Sequence, residues 1–68
     1  MMYDIIVTVN NSPTKVRGWG YLINADSREQ AVAQALENAQ ITADKPYSRY
    51  KRCTFTVKDE DVIAKPDW

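Results

Sequence analysis

Tyr3, Ile5, Val7 and Val9 alternate with Asp4, Ile6 and Thr8, and this period of two constrains the fold more than any other feature of the chain. Successive side chains of a strand point to opposite faces, so such a segment needs a cover over one face and leaves the other to solvent. Lys15 to Ala25, with Val16, Trp19, Tyr21, Leu22 and Ile23, predicts a second strand punctuated by Gly18 and Gly20. Between the two, Asn10-Asn11-Ser12-Pro13-Thr14 concentrates turn-forming residues, which makes a hairpin loop the simplest connection.

The cover comes next. At Asp26-Ser27 the period becomes helical: Ser27 is placed as N-cap with Gln30 three residues on, and Glu29 lies in the first turn, where the helix dipole favours a carboxylate. Val32, Ala35, Leu36 and Ala39 form one apolar stripe, and Gln40 to Pro46 is expected to end the helix. From Tyr50 to Lys58, Cys53, Phe55 and Val57 alternate with Arg52, Thr54, Thr56 and Lys58, predicting a third strand. The expectation is a single small α+β domain over 1–68, a ββαβ chain with a three-stranded antiparallel sheet in the order 2-1-3. One helix packs on one face and the other face is open. Residues 59–68 read as an acidic C-terminal tail, whose Val62, Ile63 and Trp68 either cap one end of the core or stay clear of it.

Composition narrows the chemistry. The 68 residues include no His and one Cys, with nine Lys plus Arg against nine Asp plus Glu. Without His there is no Ser-His or Cys-His pair and no common zinc ligand set. Cys53 alone closes no intrachain disulfide, and its alternation with Phe55 and Val57 reads as a small buried hydrophobe. Asp59-Glu60-Asp61 is the one acidic run, but consecutive side chains diverge, so a solvated exit from the third strand is preferred to a metal site. Gly18-Trp19-Gly20 lacks the rest of a phosphate loop. Neither an enzyme nor a cofactor is expected. With no secretory pattern at the start and no run of about 18 apolar residues, a soluble cytoplasmic protein without membrane contact is expected.

Binding is the remaining class. Between Lys45 and Lys58 basic residues interleave with Tyr47 and Tyr50 and no acid intervenes. On a strand from Tyr50 to Lys58, Tyr50, Arg52 and Lys58 would project from the open face with Arg49 near its edge. These four are the expected partner-binding residues, against the plainer reading of a charged, solvated edge strand. A second string, Arg17-Gly18-Trp19-Gly20-Tyr21-Leu22, resembles the octapeptide of RNA-recognition-motif domains. Val32-Ala33-Gln34-Ala35-Leu36 and Arg52 to Val57 stand where that family has its following helix and last strand. The resemblance covers the later half of the family fold, and Asn24 replaces the octapeptide's final aromatic. It implies that Trp19 and Tyr21 stack on bases while Arg17 contacts phosphate.

The helix junction points elsewhere. If Ile23 and Ala25 touch the helix, period two puts Tyr21 and Trp19 on the same covered face, unless a bulge at Gly18 or Gly20 splits them. In architecture, and at the junction from Ile23 to Val32, the chain also resembles small phage and mobile-element proteins, including anti-CRISPR inhibitors. That resemblance implies a stoichiometric inhibitor occupying a surface of a host nucleic-acid-handling protein complex. Direct binding of RNA or single-stranded DNA is the alternative, and a structural role as a homodimer joined through edge strands is the third.

Overall fold

In the computed structural model, which describes residues 1–66, the chain runs β1 (Met2–Asn10), β2 (Gly18–Asn24), α1 (Arg28–Ala43), β3 (Thr54–Thr56), a 3-10 turn (Asp59–Asp61) and β4 (Val62–Lys65). β1 is central. It pairs antiparallel with β2 along one edge and with both β3 and β4 along the other. The ββαβ order, the strand order 2-1-3 and the single helix are as expected, with one strand more than the sequence predicts.

Alternation in β1 sets the register of everything else. Tyr3, Ile5, Val7 and Val9 are buried toward α1, and each fully buried aliphatic side chain contributes about 1.5–3 kcal/mol. Opposite them on the same face lie Ile23, Tyr21 and Trp19 of β2, then Phe55 of β3 and Val62 of β4. The helix begins where the cap places it: Ser27 Oγ accepts the Gln30 N–H at 3.2 Å, and Gln30 Oε1 accepts the Asp26 N–H at 3.0 Å. Its fully buried line is Ala31, Ala35, Ala39 and Ala43, with Val32 and Leu36 packed half-buried beside it. The stripe is therefore rotated from the expected one and the helix runs on to Ala43. Four alanines spaced by four residues bring the helix backbone close to the sheet, which larger side chains on that line would prevent.

Three expectations are corrected. The third strand starts at Thr54 rather than Tyr50, because β1 has no backbone left to offer. Asn10 pairs with Thr54, and Asn11, with φ of 61°, turns the chain away. Residues 45–53 coil instead through two tight turns, Ser48 N–H to Lys45 O and Cys53 N–H to Tyr50 O. β2 likewise begins only at Gly18, since Ser12 Oγ accepts from Thr14 N–H and Thr14 Oγ1 from Val16 N–H, holding the preceding loop in local turns. Residues 59–65 do not trail off as an acidic tail. The 3-10 turn, closed by Asp61 N–H to Lys58 O, steps the chain sideways so that Val62–Lys65 pairs with Met2–Ile5. The edge of β1 left bare beyond β3 is thereby satisfied. Trp68, the remaining expected tail contact, lies outside the described residues. Among those residues no helix is long and apolar enough to cross a membrane.

Candidate binding site at the cationic end

Two loops meet where β1 ends and β2 begins. Residues 11–17 carry Lys15 and Arg17, and residues 44–53 carry Lys45, Arg49, Lys51 and Arg52, with Asp44 the one carboxylate on either. The loops are tied together. Tyr50 Oη and Thr14 Oγ1 are 3.0 Å apart, Cys53 Sγ donates to Asn11 O at 3.5 Å, and the Trp19 ring meets Tyr50 edge-on at 5.1 Å. All six cations are exposed, and the one ion pair among the described residues, Arg28 with Asp59 at 3.5 Å, lies elsewhere.

Acidic groups gather away from this end: Asp26 and Glu29 at the start of α1, and Asp59, Glu60 and Asp61 in the turn between β3 and β4. The molecule is 36 Å long and 17 Å thick. Charges are screened over about 8 Å at physiological ionic strength, so a net charge of zero says little about what either end attracts.

The expected site residues are redistributed. Arg49 and Arg52 are exposed on the second loop. Arg17 is exposed on the first, its Nη1 donating to Thr14 O at 2.7 Å and Val16 O at 3.2 Å, which holds the guanidinium against its own loop. Tyr50 is half-buried and fastens the loops rather than projecting from the open face. Lys58 sits apart, before the acidic turn. Trp19 and Tyr21 both lie half-buried on the covered face, Trp19 between Tyr50 and Phe55, so the open sheet face carries no aromatic of the Arg17 to Leu22 string.

Lys45, Tyr47 and Lys51 belong to the interleaved block read from the sequence, but the strand alternation selects only Arg49, Tyr50, Arg52 and Lys58 from it; left out with Lys15 is Tyr47, which is 91% exposed between Lys45 and Arg49. The signal was Pro46: a proline just after a helix starts a loop, and in a loop, unlike a strand, every one of these side chains can reach solvent. No enclosed pocket is found among the described residues, nor any group of three His, Cys, Asp or Glu side chains placed for a metal ion. No protein family, curated protein or solved structure matches the chain.

Proposed function

We propose that this is a non-enzymatic binding protein that docks its cationic end on a nucleic-acid-handling complex of a host cell and inhibits it by occupying that surface. On this reading it works in the cytoplasm, as the phage and anti-CRISPR-type proteins it resembles would. The supporting observation is the gathering of six exposed cations, none of them ion-paired among the described residues and with Asp44 the one carboxylate beside them, onto two mutually anchored loops. Anchoring matters because loops already held in place lose less backbone entropy on docking than mobile loops would. Cations alone supply only non-specific affinity for nucleic acid, about 10⁻⁴ to 10⁻⁶ M at physiological salt. A specific inhibitor therefore needs a complementary protein surface as well.

Capture from nuclease-treated host lysate tests this. The wild-type protein should recover one defined complex, Arg49→Glu with Arg52→Glu should reduce recovery at least tenfold, and Glu60→Lys should leave it intact. Recovery unaffected by the double reversal would remove the cationic end from the interface.

Direct binding of RNA or single-stranded DNA is the second reading, favoured by the exposure of Tyr47, since a base stacked on an aromatic ring contributes about 1–3 kcal/mol. It moves the stacking residue from Trp19 and Tyr21 to the loop. Its mark would be sub-micromolar, salt-steep binding of bare oligonucleotides, with Arg49→Ala plus Arg52→Ala reducing the logarithmic salt slope by about 1.4.

A further inference from the structure

The two edges of the sheet are unlike. On one side β3 and β4 are three and four residues long, separated by a 3-10 turn and flanked by Lys58 and the acidic run, features that discourage pairing with another strand. On the other side β2 runs seven residues, Gly-Trp-Gly-Tyr-Leu-Ile-Asn, without a charge or a proline, and pairs only with β1. Val9 N–H donates to Arg17 O and Ala25 N–H to Met1 O, so odd-numbered residues of β2 turn their backbone groups toward β1. The N–H and C=O groups of Gly18, Gly20, Leu22 and Asn24 consequently point outward. Beside this edge the open face carries Leu22, 46% exposed, and Ile6, 42% exposed. Ile6 lies across Gly18, where an added Cβ would come within 3.1 Å of Ile6 Cγ2.

We infer that β2 is a dimerisation edge whose partner is a second copy of the same chain, joined antiparallel about a two-fold axis through Tyr21. That register sets Gly18 opposite the second copy's Asn24 and Gly20 opposite its Leu22, so all outward backbone groups of both strands find partners and each Leu22 covers the other copy's Gly20 beside Ile6. Charge selects the same occupant. β2 runs from the cationic end to the acidic end, so antiparallel pairing lays Arg17 of each copy beside Ala25 and Asp26 of the other. Each copy has one long uninterrupted edge, so the contact is isologous and closes at two rather than growing into a fibre. Arg17 of each cationic end joins the contact, while Lys45, Arg49, Lys51 and Arg52 on the loop after α1 stay exposed, the two sets lying at opposite ends of the paired strands.

Sedimentation equilibrium over about 5 µM to 1 mM protein, combined with amide hydrogen exchange, provides the test. The expected result is a monomer–dimer equilibrium that weakens as salt is raised. With it, exchange at the Gly20 and Leu22 amides should slow as protein concentration increases. Leu22→Pro removes one outward N–H that β1 does not use, and Leu22→Lys places a charge on the edge; both should weaken association at least tenfold. If the proline variant fails to fold, the lysine variant and the exchange data decide. A protein monomeric at 1 mM, a dimer indifferent to Leu22→Lys, or concentration-independent exchange at Gly20 and Leu22 would each overturn the inference.

Discussion

Trp19→Ala is expected to lower the unfolding free energy by about 3 kcal/mol, measured by urea denaturation followed by circular dichroism. Trp19 lies opposite Val7 on the covered face, tilted against Phe55 at 5.3 Å and edge-on to Tyr50 at 5.1 Å. It is half-buried, which places the loss at the lower end of the range for removing a large aromatic. Each aromatic pair adds about 0.5–1.5 kcal/mol beyond area. Removing the indole also takes away the wall against which Tyr50 rests, so the two cationic loops should loosen together. A loss under about 1 kcal/mol would mean that the indole does not hold this end of the core.

Ile5→Ala should cost more, about 4 kcal/mol. Ile5 is fully buried at the middle of β1, between Tyr21 of β2 and Val62 of β4 and beneath the alanine line of α1. Alanine side chains cannot extend to fill the space left, and the helix already lies close to the sheet, so little of the cavity can collapse. A chain of this size has a total stability of about 3–10 kcal/mol, so the variant should lose from about two fifths to all of it. Ala35→Gly as a comparison separates the cavity effect from helix propensity, since that change should cost only about 1 kcal/mol plus one methyl's burial. Equal losses at the two positions would contradict a core centred on Ile5.

The parts legible in sequence were those fixed by local periodicity and capping. The alternation of β1, the position of Ser27 and the turn residues after Asn10 each have a local physical cause, and all three appear in the structure. The register argument through Ile23 also placed Trp19 and Tyr21 on the covered face, because a strand without a bulge transmits facing from one end to the other. What failed depended on partners remote in sequence. Nothing near Tyr50 reveals that β1 runs out at Asn10, and nothing in Val62-Ile63-Ala64-Lys65 reveals that Met2 to Ile5 would otherwise lack a neighbour. The candidate site shared that dependence. Choosing Tyr50, Arg52 and Lys58 by alternation presupposed a strand, and once the segment is a loop the relevant set becomes Arg49 and Arg52 with Lys15, Arg17, Lys45, Lys51 and Tyr47.

That set is the centre of the account, and its most direct test is a residue-resolved one. Titrating the ¹⁵N-labelled protein with a short single-stranded oligonucleotide at low salt, as a polyanion probe, should shift the backbone amides of residues 14–17 and 47–52. Those of the open face at Asp4, Ile6, Leu22 and Ile63 should stay fixed, and the shifts should shrink as salt is added. Shifts centred on the open face, or spread evenly over both ends of the molecule, would contradict the assignment of the cationic end as the surface through which this protein acts.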